Sequence, residues 1–451
     1  MRKIIQYMMM ALIAVVLASC ANDISEESTP TVKSNIRFVV DDFPMFEKPS
    51  TRTIGEEDKG KTAWAVGDEI CVKLESKELG IQTATLKYNG VKFEIQDGNS
   101  LCYLDGEPVT AYAYYAPGRK WLNDGYLGYK DGERDGTEEF LEATCTVHYG
   151  DDNYIDISFA TATRNYSRLR IATMPNKPIT VDINYFTPAG SSDMKWDQNY
   201  ALTSDEKGNA YLYGTFENNS EVTVKYREAA LTTHTFSQAT ESAKSYALDA
   251  TVISANSAEE IKSAIEQKVA DSKTAIRLNL APNAGTDEFM AIREAIKGAA
   301  PNDEGTIELT IIGVETIPEE AFYKMSQLKS VKMPNVKEIK KYAFSECRYL
   351  TVVEAPSLNK LNSGAFNKCN LLSKLTFGPI NYADARYWPI FEDITPNIDL
   401  ILSDYQKEMI ETDDHLYTAN NDIDYADSNK HWNKNFLGRE FKSITCRFKV
   451  E

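Results

Sequence analysis

The stretch AFYKMSQLKSVKMP, beginning at Ala321, recurs as AFSECRYLTVVEAP from Ala343 and as AFNKCNLLSKLTFG from Ala365, each copy 22 residues after the last. In that register Ile317, Ile339 and Leu361 coincide, as do Phe322, Phe344 and Phe366, and then Leu328, Leu350 and Leu372. Val331, Val353 and Leu375 follow, then Met333, Ala355 and Phe377. A period in the twenties, with an L-x-x-L-x-L-like strand after an Ala-Phe turn, predicts stacked coils. No single coil can bury its apolar side alone, so each phenylalanine must pack on the next copy's. Alternation along the strands leaves Ser330, Lys332, Val352, Glu354, Lys374 and Thr376 on the open face. That face is mixed in charge and free of aromatics, and an extended open surface of this kind suits a partner protein.

The array extends on both sides. Leu309 and Ile311 sit 22 residues before Val331 and Met333. AIRLNL at 275–280 reads as a strand, followed by the amphipathic DEFMAIREAIKG. Before it, Ser257 is placed to cap SAEEIKSAIEQKVA, with Glu260 three residues on. NIDLILSD at 397–404 reads as a further strand, a polar insert follows at 420–434, and FKSITCRFKV reads as a terminal cap. IPEEAF, IKKYAFSEC and LNSGAFNKC resemble the BspA-type leucine-rich repeat family over about residues 255–451. The resemblance implies an α/β solenoid. Cys347 and Cys369 stand where the first coil has Met325, which favours two packed thiols. Coils about 5 Å apart also leave a disulfide open as the alternative.

The N-terminal half alternates instead. EICVKL, TATLKY, VKFEI, VTAYAYY, YIDISFA, SRLRIA, ITVDINYF, AYLYGTF and EVTVKY are strand-like, and Asn89-Gly90, Asp97-Gly98, Asp105-Gly106 and Asp124-Gly125 mark hairpins. The expectation is a mainly β chain: two antiparallel β-sandwich modules, 35–150 and 151–250, meeting near Gly150, then the repeat domain at 255–451. STRTIGEEDKGKTAWAVGDEICV and VTAYAYYAPG, with SRLRI and DEKGNAYLYG later, look like the fimbrillin-like family. That resemblance implies transthyretin-like sandwiches in pilus subunits or solitary surface proteins. It also makes Arg52, within Thr51-Arg52-Thr53, the position a processing protease would cut; a solvated loop arginine is the plain alternative. A 200-residue domain on one end counts against a polymerising subunit.

The chain begins MRKIIQYMMMALIAVVLASC. A basic start and a short apolar run read as a signal peptide, residues 1–19. Leu17-Ala18-Ser19-Cys20 resembles a bacterial lipobox, which implies acylation of Cys20 and attachment to the outer membrane; more than one acyl chain makes such attachment durable. An ordinary secreted protein with a free Cys20 is the alternative. Residues 20–34 then read as a flexible tether, whose acids look like the export signals of Bacteroidales surface lipoproteins and imply surface exposure.

A formal charge of −18 argues against nucleic-acid binding. There is no GxSxG, HExxH, Walker or Rossmann signature, so no enzyme, cofactor or metal is expected. His148, His234, His415 and His431 are widely scattered. Asp422, Asp424 and Asp427 lack an EF-hand pattern, and with Asp131, Asp135, Glu138 and Glu139 they read as solvated loop charge. Tyr112, Tyr114, Tyr115 and Trp121 could stack sugars, but a core-facing stripe is the expected role of Tyr112 and Tyr114. The resulting expectation is a non-enzymatic cell-surface lipoprotein that recognises a protein or matrix ligand through its repeats. The alternatives are a fimbria-associated accessory or tip subunit, with pilus components as partners, and a glycan-binding lipoprotein of a nutrient-uptake system.

Overall fold

The computed structural model describes residues 31–34, 36–47, 60–96, 100–122, 125–129, 136–150, 153–159, 164–255, 257–272, 274–383, 389–394, 397–404, 435–436 and 439–448. Cys20, Arg52, Asp131, Asp135, Asp422, Asp424, Asp427 and the 420–434 insert lie outside them. The chain is mainly β, with two helices among the described residues and a β-sandwich-rich N-terminal half.

The first sheet has the order β1-β7-β6-β5-β2-β3-β4, from β1 (Arg37–Val40), β2 (Glu69–Ser76), β3 (Gly80–Tyr88), β4 (Phe93–Ile95), β5 (Thr110–Tyr115), β6 (Leu141–His148) and β7 (Tyr154–Ile157). Its core includes Ile70, Val72, Leu74, Leu86, Ala113 and Ile155. Three expectations change here. Gly150 lies in the β6–β7 connection rather than between modules, because Tyr154–Asp156 pairs back onto Thr146–His148. Val32 and Lys33, expected in the tether, pair with Leu104 and Tyr103. That pairing also takes the strand before Asp105-Gly106, so this dipeptide closes no hairpin.

The second sheet comprises β8 (Ser167–Ala172), β9 (Pro178–Pro188), β10 (Lys195–Thr203), β11 (Asn209–Phe216), β12 (Glu221–Tyr226), β13 (Ala229–Thr235) and β14 (Ser245–Asp249). β9 serves two layers: Pro178–Phe186 pairs with β10, Thr180–Ile183 with β12, and Phe186–Pro188 with β11. Tyr185, at φ 49°, sits where the pairing changes. The fully buried Phe186 ring lies so close to Gly214 that a Cβ there would be 2.4 Å from it. Between the two regions Arg164 is 1% exposed; it pairs with Glu139, donates to Pro44 O at 2.9 Å and stacks 3.8 Å over Phe46. Glu139 is therefore no solvated loop acid; its burial is offset first by the Arg164 contact and then by the nearby Arg168 and Lys61 charges.

The C-terminal sheet is wholly parallel and runs in chain order. Its strands are β15 (Ile253–Ser254), β16 (Ala275–Asn279), β17 (Ile307–Ile312), β18 (Leu328–Lys332), β19 (Val352–Ala355), β20 (Lys374–Phe377), β21 (Asp399–Ser403) and β22 (Ser443–Phe448). FKSITCRFKV thus supplies the last parallel strand itself. Ser330 pairs with Val352 and Val352 with Lys374, so each coil advances by the sequence period. A second ladder joins Thr316–Ile317, Glu338–Ile339, Lys360–Leu361 and Tyr382–Ala383. The turns form a third: Phe322 N–H donates to Ala343 O at 2.8 Å, Phe344 N–H to Ala365 O at 2.9 Å, and Phe366 N–H to Ile390 O at 3.0 Å. With the backbone satisfied between coils, the interior can be wholly apolar.

Phe322, Phe344 and Phe366 are fully buried and stack at 5.2 Å and 5.4 Å, with interplanar angles of 18° and 5°. Phe391 continues the column at 5.6 Å, one longer coil on, and Phe441 meets it edge-on. At the other end Phe289 meets Phe322 edge-on. Phe289 comes from α2 (Thr286–Ala299), which also buries Ile292, Ala295 and Ile296 along one stripe. The preceding helix, α1 (Ala258–Ala270), is capped as expected, Ser257 Oγ accepting from Glu260 N–H at 3.2 Å.

Removing a ring from the middle of the column leaves a void between two coils that cannot collapse without breaking their ladders. Phe344→Ala is expected to cost about 3–5 kcal/mol in chemical unfolding, and Phe344→Leu clearly less; a loss under about 1 kcal/mol for the alanine variant would show that the column is not a shared core.

Candidate functional site

Because β18, β19 and β20 are in register, their outward side chains form rows across the sheet. Ser330, Val352 and Lys374 occupy one row, extended by Glu308 and Asp399; Lys332, Glu354 and Thr376 occupy the other, extended by Thr310 and Ile401. All six expected residues are therefore brought together on one face, while Val331, Val353 and Leu375 point inward and are fully buried. Five of the six are half-buried and Lys374 is exposed. The face is largely self-paired in charge: Lys332 meets Glu354 at 3.4 Å, and Lys329 meets Glu308 at 2.7 Å. Pairs this exposed contribute about 0–1 kcal/mol each. Asp399 was not foreseen, because the coil before it breaks the 22-residue step.

One row of the face, that of Thr310, is closed at its N-terminal end, while Glu308 in the other stays exposed. Arg277 and Thr310 are 8% and 6% exposed. Arg277 Nε–H donates to Leu231 O in β13 at 2.6 Å, and its guanidinium lies 3.9 Å from Asp249 at the end of β14. Ile312 of β17 joins the core of the second β region. Burial raises the Asp249 carboxyl, but hydrogen bonds from Thr251 together with Lys268 and Arg277 outweigh it and hold the group below its ordinary range. Burial also lowers the Arg277 guanidinium, against the pull of Asp249 and Glu308.

Cys347 and Cys369 are free thiols, fully buried, each donating S–H one coil back, to Phe322 O at 3.0 Å and Phe344 O at 3.1 Å. Burial pushes Cys347 up to about 12 and Cys369 well above its ordinary value. Neither offers a thiolate near neutrality.

The aromatic stripe differs from expectation. In β5 it is Ala111, Ala113 and Tyr115 that face the core, so Tyr112 and Tyr114 lie on the opposite side, half-buried. Alternation separates the two faces correctly but does not say which is inside, and here the small alanines fill the core. Tyr114 meets Trp121 edge-on at 83°, and Trp121 Nε1–H donates to Ala84 O at 3.0 Å, so the pair presents no shared flat surface to a sugar ring. His148 stacks on Tyr154, and His234 packs against Phe236 with its pKa lowered by burial. His415 and His431 lie outside the described residues. Among the described residues no three His, Cys, Asp or Glu side chains converge on a metal position.

The family model for BspA type leucine rich repeat regions, in six copies, matches residues 306–387, which contain β17 to β20 and the central phenylalanines. No curated protein matches the chain. Among solved structures, a candidate cell adhesion protein from Bacteroides eggerthii DSM 20697 aligns over 51% of this chain and 87% of its own, with 10% identity and a TM-score of 0.21. A shaft pilin from Lactobacillus rhamnosus GG aligns over 49% and 96%, with 11% identity and a TM-score of 0.19.

The junction that closes that row is testable by pH. A carboxyl held below its ordinary value stabilises the folded state above that value and loses the contribution as pH falls through the lowered one. Asp249→Asn should therefore lower the melting temperature near neutrality, and the gap to the parent chain should narrow as the pH falls below about 4. A gap that stays constant across that range would mean that Asp249 acts there without its charge.

Proposed function

We propose that this chain is a non-enzymatic cell-surface lipoprotein, held to the outer membrane by acylated Cys20, whose C-terminal solenoid docks a protein or matrix ligand. In this reading the two N-terminal β regions, taken as transthyretin-like sandwiches, act as a stalk. The observation that carries it is the pair of in-register rows Ser330–Val352–Lys374 and Lys332–Glu354–Thr376. A rigid parallel sheet presents them side by side without spending any of them on the core, and an extended, pre-organised polar surface with a central Val352 is what protein recognition uses. The family model over 306–387 supports the repeat part of the reading.

A fimbria-associated subunit is the second reading. β10 pairs with a strand on one edge only among the described residues, and it faces β11 across a cleft of about 840 Å³ lined by Gln198, Tyr200, Leu202, Asn209 and Tyr211. Two strand edges separated by a cleft suit the addition of an extended segment.

Two measurements separate these. The Cys20→Ser chain should leave the membrane fraction and, as bait, retain a surface-protein partner that Val352→Asp with Lys374→Glu no longer retains; equal capture by both baits would reject the sheet face as the docking surface. The second reading expects heat-labile ladders on unheated gels, lost in Arg52→Ala, whereas a single monomer band at every concentration would reject it.

A further inference from the structure

Among the described residues, every strand ladder of the N-terminal half is antiparallel except two. In the first sheet Arg37–Val40 of β1 runs parallel to Tyr154–Ile157 of β7. In the second, Arg168–Ala172 of β8 runs parallel to Ser245–Asp249 of β14. Each exception joins the strand that opens its sheet in the sequence to the strand that closes it. Parallel pairs are slightly the less stable per residue, so stability at rest does not favour them at these two places. A third contact of the same sense links the two regions. Glu47 pairs in parallel with Lys244, Glu47 N–H donating to Ala243 O and Ser245 N–H to Glu47 O, both at 2.9 Å.

Tension distinguishes the two senses of pairing. If first and last strands were antiparallel, the chain would enter and leave the ladder at the same end, and a pull would open its hydrogen bonds one at a time. In parallel, entry and exit lie at opposite ends, so a pull slides one strand along the other and loads the whole ladder together. Arg37 N–H donates to Asn153 O at 3.2 Å at one end of β1, and Asp41 N–H to Ile157 O at 3.0 Å at the other. Arg168 N–H to Lys244 O at 3.0 Å and Ala250 N–H to Ala172 O at 2.8 Å bound the second ladder in the same way. Side chains add grip: Ile155 and Ile157 of β7 are wholly buried, as are Leu169 and Ile171 of β8. Just beyond β1, Phe43 and Phe46 are buried as well, and Arg164 stacks on Phe46 and donates to Pro44 O. Sliding β1 out therefore also drags two rings from their sites.

We propose that the two β regions form a load-bearing stalk that holds tension between the N-terminal end of the chain and the repeat array. The inference rests on the reading of a chain tethered at Cys20 and loaded at its repeats, and it says what the stalk is for. Past β14 the load enters the array through Arg277, which donates to Leu231 O, and through Ile312 in the second core. The two ladders are unequal. β1 lies at the edge of its sheet, and two of its four side chains are exposed. β14 is held on both sides, by β8 and by Glu47. The β1–β7 ladder is therefore the one that yields first.

The test is single-molecule pulling of the Cys20→Ser chain at a fixed loading rate, because forced unfolding reads the unfolding barrier. One handle sits at the N-terminus and the other on an azide-bearing residue at position 262, on the exposed side of α1. A second geometry keeps position 262 and moves the first handle to position 177, which is exposed just after β8. Ala172 and Asp249 stand opposite one another, so this geometry draws β8 and β14 from the same end. The second region should rupture at a force at least about twofold higher when pulled from the N-terminus than from position 177, each region being identified by the length it releases. Val39→Pro removes the donor midway between Arg37 and Asp41 in an evenly spaced ladder. It should lower the rupture force of the first region and leave the pull between positions 177 and 262 as it was. Equal forces in the two geometries would overturn the proposal, and so would a first region whose force Val39→Pro does not change. The comparison of geometries needs no substitution in either ladder, so it decides even if Val39→Pro fails to fold. If the sheet face captures its partner while the second region ruptures alike in both geometries, the stalk is refuted and the docking reading stands. Resistance from the N-terminus with no partner captured would support the stalk and refute the docking reading.

Discussion

The phenylalanine column is the constraint on which the rest of the C-terminal half depends. Phe344 finds its ring partners in the coils before and after it, Phe322 and Phe366. A coil therefore has no stable existence alone, and the three hydrogen-bond ladders hold successive coils at the spacing the rings require. The longer coil between Phe366 and Phe391 shows which part of the design is rigid. Its extra residues leave the column alone, because Phe366 N–H still finds Ile390 O and the rings remain within 10° of parallel. At both ends the geometry turns edge-on, Phe289 and Phe441 presenting ring edges to the last stacked face. An edge-on ring ends a stack favourably while offering no equivalent face to a further copy.

What could be read from the sequence follows from how each feature is encoded. The stack and the six residues of the open face were legible because the period is written three times without interruption. Phe391, Asp399 and Phe441 were not, because one longer coil and a long insert break the count although the spatial repeat continues. In the N-terminal half β10 escaped notice because Asp197, Gln198 and Asn199 interrupt its pattern with poor strand formers. The sidedness of β5 was misread because period two marks alternate faces without saying which is inside; only the packed core reveals that Ala111 and Ala113 fill it. The burial of Glu139 depends on Arg164, 25 residues away, and loop composition cannot express such a pairing.

The same tertiary contacts set the limits of the candidate surface. Arg277 and Thr310 belong to the outward rows by register, yet the second β region covers them and the usable part of their row begins beyond. Ile312, contributed by the repeat sheet to the neighbouring core, and the Asp249–Arg277 contact hold that boundary. The position of the β region thus follows from side chains at the first full coil, and it closes the Thr310 row up to Lys332 while Glu308 in the neighbouring row stays exposed.

The charges of the array are matched wherever the ladders bring neighbouring coils together. On the sheet face Lys332 meets Glu354 and Lys329 meets Glu308, so the field they project is short and the surface favours fit over attraction. At the turns Tyr323, Lys324 and Arg348 all reach Glu346, which is matched in the same way. The matching follows from register: stacking sets a cation of one coil beside a carboxylate 22 residues away in its neighbour, as in Lys337–Glu315 and Lys360–Glu338.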